Sequence, residues 1–254
     1  MNRRASLKIL LVQIRQDIRM IPAERMEFVS FSGLGEHQII TLDVFRDPDF
    51  SPLIVDDFDA LFIGGLSDDR SDQVELPATF QSFLSNLNDL ILRAIHQKVP
   101  ALLSCGGFML ASMLLGAKVV VDPGQAELDV VDIFLTREAI SDPLFQHFPD
   151  TFGAVSGHIK STIDLPEKCV LLAYSKRCEV HGFKVAGCPF YTFQFHPEIT
   201  CADLQARVMA YKDKYFKSDD HYREFIKMNC DTSVANAIIG RFVDLISGAF
   251  RAGE

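Results

Sequence analysis

Cys105 stands between an apolar run, Pro100-Ala-Leu-Leu-Ser104, and two glycines, Gly106 and Gly107. A thiol raised on a sharp strand-to-helix turn is the sulfur form of a nucleophile elbow. The helix N-terminus that follows favours the thiolate and offers backbone N–H groups that can hold an oxyanion. Far downstream, the segment 190–196 reads as a strand that runs into His196, Pro197 and Glu198. Residues two apart in an extended chain point the same way, so the Glu198 carboxylate is expected beside the His196 ring. An imidazole oriented by a carboxylate is the base that a cysteine nucleophile needs. Each feature alone has a plainer reading, Cys105 as one more small buried thiol and His-Pro-Glu as a solvated turn. Their occurrence together is what makes the chemical reading specific.

Elements must bring these distant residues together. Segments 8–14 and 38–45 read as strands with a helix over 22–32 between them, and the strand 61–63 stops at Gly64 and Gly65. Apolar residues at 80, 83, 84, 87, 90, 91, 94 and 95 keep the three-and-four spacing of an amphipathic helix over 77–97. A strand over 99–104 and a short buried helix over 108–115 follow. This alternation predicts parallel strands joined by crossover helices. The second half is richer in strands, at 118–121, 129–135, 152–159, 169–174, 180–185 and 190–196, several of them expected as antiparallel additions at the sheet edge. Helices are expected at 201–216, 219–228 and 233–250. The resulting division is an α/β domain over 1–200 and a helical extension over 201–254 packed on it.

Composition narrows the function. The chain has 254 residues, with 25 Lys and Arg against 34 Asp and Glu, a net charge of −9. That acidic balance, without a long basic block, argues against nucleic acid as a partner. No run reaches the length of a membrane span, and the apolar stretch 9–12 is broken by Gln13 and Arg15 before a secretory leader could form. The six cysteines form no CxxC pair, and a chain of this length does not need disulfides to fold. A reduced, cytoplasmic setting is therefore expected, with Cys169, Cys178, Cys188, Cys201 and Cys230 as structural residues.

The order of these motifs resembles the class I (triad) glutamine amidotransferases, and among them standalone proteins similar to the amidotransferase domain of GMP synthase. The landmarks are KILLVQI, IGGLSDD, PALLSCGGFMLASMLLGAKV, DPLFQHFPDTFGAVSGHIKSTIDLP and FQFHPEIT, within residues 7–200. The resemblance implies a flavodoxin-like fold, with a central, mostly parallel mixed sheet flanked by helices. It also implies Cys105 as nucleophile, His196 as acid and base, Glu198 as its orienter, and the N–H groups of Gly65 and Gly106 as the oxyanion hole. The implied reaction is hydrolysis of the glutamine side-chain amide through a γ-glutamyl thioester, with no cofactor and with ammonia passed to a separate ATP-dependent synthetase or to solvent. Gly64, Met109, Ser156, Gly157 and His158 fall where relatives contact the substrate.

The chain departs from that pattern where the family elbow reads Gly, aliphatic, Cys, variable, Gly, His, Gln. Here it reads Leu103, Ser104, Cys105, Gly106, Gly107, Phe108, Met109. Met109 cannot supply the amide that helps hold the substrate amino acid. Two alternatives to glutamine hydrolysis therefore stay open, a γ-glutamyl peptide hydrolase and an inactive binding or regulatory module. An SGGxDS loop of an ATP pyrophosphatase is absent, so the chain is not expected to make GMP alone. His158 and His181 lack HxH or HExxH spacing, which predicts surface histidines and no metal site. Ser32-Gly-Leu-Gly35 reads as a loop, Asp68, Asp69 and Asp72 as a solvated acidic loop, and 211–217 as a solvated helix face.

Overall fold

The computed structural model describes residues 3–66, 73–210 and 230–248. The acidic loop expected at Asp68, Asp69 and Asp72, the stretch 211–217 and the helix at 219–228 lie outside these residues. Nine strands form one sheet: β1 (Ile9–Ile14), β2 (Ile39–Asp43), β3 (Ala60–Leu66), β4 (Ala101–Ser104), β6 (Glu127–Leu135), β7 (Thr151–His158), β9 (Cys169–Tyr174), β10 (Gly182–Val185) and β11 (Phe190–Phe193). Their order is β2-β1-β3-β4-β11-β10-β9-β6-β7. The block from β2 to β11 is parallel, and β10, β9, β6 and β7 extend it in antiparallel fashion. The strand expected over 118–121 leaves this sheet: β5 (Val119–Val121) pairs instead with β8 (Lys160–Thr162) in a two-stranded sheet.

The parallel strands are buried on both faces, so they read as continuous apolar runs. Alternate residues serve opposite layers. Ile9, Leu11, Ala60, Phe62 and Leu102 face one core layer, and Leu10, Val12, Leu61, Ile63, Ala101 and Leu103 face the other. The first layer is closed by α1 (Met20–Ser32), through Phe28, and by the C-terminal α6 (Ser233–Ser247), through Ile238, Ile239 and Phe242. The second is closed by α2 (Gln81–His96), through Phe83, Leu87, Leu90 and Ile91, and by α3 (Gly106–Leu114). Phe28 stacks on Phe62 with ring centroids 5.0 Å apart, which ties α1 to the middle of the sheet. α4 (Arg137–Ile140) and α5 (Cys201–Ala210) complete the α-helices among the described residues.

One expectation about the cysteines fails. Cys201, which opens α5, is bridged to Cys230, 29 residues on. Spacing without a CxxC pair gave no sign of this contact, because it is set by where the chain returns rather than by local sequence.

Candidate active site

The elbow owes its shape to Cys105 itself. Its backbone sits at φ 44° and ψ −94°, a conformation that costs a non-glycine residue about 1–3 kcal/mol. Two hydrogen bonds hold it there, Cys105 N–H to the Phe193 carbonyl (2.8 Å) and Met109 N–H to the Cys105 carbonyl (2.9 Å). Neither of the two glycines that follow takes a positive φ. What they permit is close approach. A Cβ on Gly106 would overlap the Leu66 nitrogen, and one on Gly107 would lie 2.9 Å from the Ile63 carbonyl oxygen. The first turn of α3 is thereby pressed against the end of β3.

β11 lies beside β4 in parallel register, Phe193 opposite Ser104. It ends at Phe193, three residues short of the expected 196, yet the chain keeps its direction, and His196 N–H donates to the Val155 carbonyl of β7 at 2.8 Å. His196 Nδ1 is 2.6 Å from Glu198 Oε1, and the same oxygen accepts from Ser104 Oγ at 3.1 Å. On its other side the ring hydrogen-bonds the Cys105 thiol. The three sequence-nominated residues thus converge.

Their electrostatics favour a thiolate–imidazolium pair. Burial opposes charge on His196, but Cys105 and then Glu198 outweigh it and lift the imidazole to about 10. Burial also opposes the Cys105 thiolate, and His196 followed by Arg15 overcomes it, lowering the thiol below its ordinary value. Glu198 is held below the usual carboxylate range because His196 outweighs its burial.

Arg15, at the end of β1, was not nominated from sequence. Its Nε donates to Glu24 Oε1 at 2.9 Å and its Nη1 to the Leu66 carbonyl at 3.3 Å. Nη2 is buried with no hydrogen-bond partner among the described residues. It lies against Gly65, where a Cβ would overlap it and come within 3.1 Å of His196 Cε1. Gly64 is flanked in the same way by Glu24. These two glycines give the buried Arg15–Glu24 pair its room beside the site.

The remaining nominated residues divide. Gly157 reaches the site, its carbonyl 3.9 Å from Cys105 Sγ. Ser156 points away, its hydroxyl donating to Glu127 Oε2 at 3.2 Å. Met109 packs in the core layer beneath α3. His158 and His181, expected at the surface, are both buried and both contact Glu127 Oε2, at 3.3 Å and 2.7 Å. The expectation failed because the carboxylate that satisfies them is 31 and 54 residues away. Sequence reasoning also missed Asn236 of α6. Its amide donates to the Pro197 carbonyl at 2.8 Å and the Ile199 carbonyl at 3.1 Å, bracketing the His-Pro-Glu turn.

Comparison with known proteins fits this architecture. A glutamine amidotransferase from Thermotoga maritima shares the fold with a TM-score of 0.71 at 19% identity, over 94% of this chain and 98% of that one. A glutamine-hydrolysing GMP synthase subunit of Methanococcus aeolicus is 30% identical over 119 residues, 46% of this chain and 60% of that protein. Its Methanopyrus kandleri counterpart is 32% identical over 110 residues, 43% of this chain and 57% of that protein. The chain thus spans about three fifths of the length of these relatives. No helix among the described residues is long and apolar enough to cross a membrane. The class-I glutamine amidotransferase family model matches residues 44–212, a span that takes in both the elbow and the His-Pro-Glu turn, and the chain belongs to that family.

Proposed function

We propose that this chain is a cysteine-dependent amidohydrolase that cleaves the side-chain amide of glutamine or of a related γ-glutamyl compound. The observation that carries the reading is the convergence of Cys105, His196 and Glu198 from separate parts of the chain onto one hydrogen-bonded line. The Cys105 thiolate attacks the amide carbon, and the C=O electron pair moves onto oxygen. The Gly65 and Gly106 N–H groups receive that oxyanion, and the free Nη2 of Arg15 adds positive potential beside it. The His196 imidazolium gives its proton to the amide nitrogen, the C–N bond breaks and ammonia leaves. Neutral His196 then takes a proton from water, whose oxygen attacks the thioester. Glutamate departs, and the thiolate–imidazolium pair is restored. Glu198, pinned by Ser104, fixes the ring tautomer throughout.

The relatives named as GMP synthase subunits support a separate ATP-using synthetase as the acceptor of the ammonia. A cytoplasmic setting belongs to the same reading, supported by the free thiols of Cys105, Cys169, Cys178 and Cys188 and opposed by the Cys201–Cys230 bridge. A γ-glutamyl peptide hydrolase is the second reading, favoured by Met109, an apolar core residue where the family places a substrate-binding amide. Ammonia or amine release from glutamine and a small γ-glutamyl panel separates the two. Cys105→Ala is expected to lose at least about 10³-fold in turnover. Equal release by native protein and variant sinks the thiol mechanism, and no release by native protein from any substrate leaves a binding module.

A further inference from the structure

Behind β7 lies a second buried cluster that the proposed reaction does not use. His158 closes β7, Cys178 sits in the β9–β10 connection, and His181 immediately precedes β10. Each offers a ligand atom, and these atoms lie within 4.8 Å of one another. Glu127, opposite His158 in the β6–β7 ladder, receives the Nε2 of both histidines.

The Glu127 carboxylate takes the Nε2 side of both histidines. His181 is left with its Nδ1 facing the other way. That nitrogen is fully buried and has no hydrogen-bond partner among the described residues. A buried ring nitrogen left unsatisfied is costly unless something fills it. His158 Nδ1 and Cys178 Sγ both approach Ser161 Oγ, so they share one side of the cluster.

We infer that His158, Cys178 and His181 form a binding site for a tetrahedral divalent transition metal of the zinc type. His181 and His158 would ligate through Nδ1 and Cys178 through its sulfur, with the fourth position taken by water or the Ser161 hydroxyl. Nitrogen and sulfur donors select such ions over magnesium or calcium. A carboxylate gripping the far nitrogen of each histidine is the arrangement that orients metal-bound imidazoles. Binding breaks the Cys178 S–H bond and the His158 Nδ1–H bond that faces the Lys160 carbonyl at 3.0 Å, forms the metal–sulfur and metal–nitrogen bonds, and releases both protons to solvent. Charge then balances, two positive on the ion against one each on Cys178 and Glu127. Sequence spacing missed this site because Cys178 and His181 lie three residues apart, whereas His158 joins them only through the pairing of β6, β7 and β9.

The site would tie together the start of β6, the end of β7 and the β9–β10 connection, immediately behind the Gly157 carbonyl that faces Cys105. The test loads the full chain with Zn²⁺ or Co²⁺, removes loosely held ion with a weak chelator, and measures retained metal by mass spectrometry. About one ion per chain is expected, with a sulfur-to-cobalt charge-transfer band in the Co²⁺ form and a higher melting temperature than the chelator-stripped protein. Cys105→Ser should keep the ion and the band, whereas Cys178→Ser should lose the band and most of the metal. X-ray absorption on the native Zn²⁺ form, which needs no variant to fold, should show one sulfur and two imidazole ligands. Retention no greater than in a Cys178→Ser/His181→Ala double variant, a Co²⁺ form without the band, or metal lost with Cys105 overturns the assignment.

Discussion

Two buried histidine–carboxylate assemblies sit on either side of β7, and they hold opposite charge states. In one, His196 is shared between Glu198 and Cys105 and is pushed up to about 10. In the other, burial holds His181 below its ordinary value although Glu127 is 2.7 Å away. An adjacent carboxylate is common to both, so it cannot be what decides. His196 has a thiol that yields its proton, whereas His181 shares its one carboxylate with His158, whose charge would repel its own. Glu127 also accepts from Ser156 and Ser175, so its charge is spread over four donors. The same pair of side chains favours a charged imidazole in one place and a neutral one in the other.

The largest expected break in this contrast is in turnover. Glu198→Gln should lose about 10³–10⁴-fold in kcat with the fold intact, because the ring loses its tautomer and the imidazolium its counter-charge. Glu127→Gln should leave kcat per folded molecule within about tenfold while lowering unfolding free energy by about 2–4 kcal/mol, since it unbalances a buried network. Kinetics and urea titration on both variants decide, and equal kinetic losses would mean that both assemblies serve the chemistry.

Thiol reactivity sharpens the same contrast. Cys178 is pushed up to about 12 by its burial and the nearby Glu127, whereas Cys105 is lowered. Near pH 7, iodoacetamide should label Cys105 at least about 10²-fold faster than Cys178, followed by peptide mass spectrometry. Comparable rates would remove the thiolate–imidazolium pair from the site.

The elbow and the His-Pro-Glu turn were legible because their meaning is local: a cysteine beside glycines after an apolar strand, and two side chains two residues apart. The parallel half was legible for a related reason, since strands buried on both faces are apolar throughout. The Glu127 cluster was not, because Glu127 meets His158 only through the pairing of β6 with β7, and nothing in the sequence fixes that register. Arg15 and Glu24 belong to no motif, and only the two glycines opposite them in the fold show that room is made for a buried pair. Met109 was nominated by position in a motif, yet α3 turns it into the core.

pH separates the two assemblies with opposite signs. His181 is held below its ordinary 6.5, so from 6.5 downward the unfolded chain takes up a proton that the folded chain refuses, and stability falls with acidification. Glu127, depressed by its histidine partners, adds stability that is present above the ordinary 4.5 and lost as pH falls through its folded value. His196 works the other way: its contribution is full below the ordinary 6.5 and lost as pH rises through about 10. In metal-free protein, His181→Gln should flatten the acid limb of the melting-temperature profile by a few degrees, and Cys105→Ala the alkaline limb. An unchanged acid limb in the His181 variant would show that burial does not set its charge.

The smallest expected effect belongs to Asn236. Asn236→Ala removes both bonds to the His-Pro-Glu turn and should lower kcat by about three- to tenfold, with a stability loss of about 1–2 kcal/mol. A stability loss with kcat unchanged would show that the turn holds its shape unaided.

That asparagine has a consequence for how the molecule can be cut and inherited. The stretch recognisable as family ends at residue 212, yet the peptide carbonyls on either side of Glu198 are anchored by a helix that begins at Ser233. A version cut after residue 212 would retain Cys105, His196 and Glu198, the residues proposed to react, and lose the clamp on the turn that carries two of them. Beyond the matched span, the C-terminal helix is a place where a substitution can shift the proposed chemistry without touching any residue assigned to it.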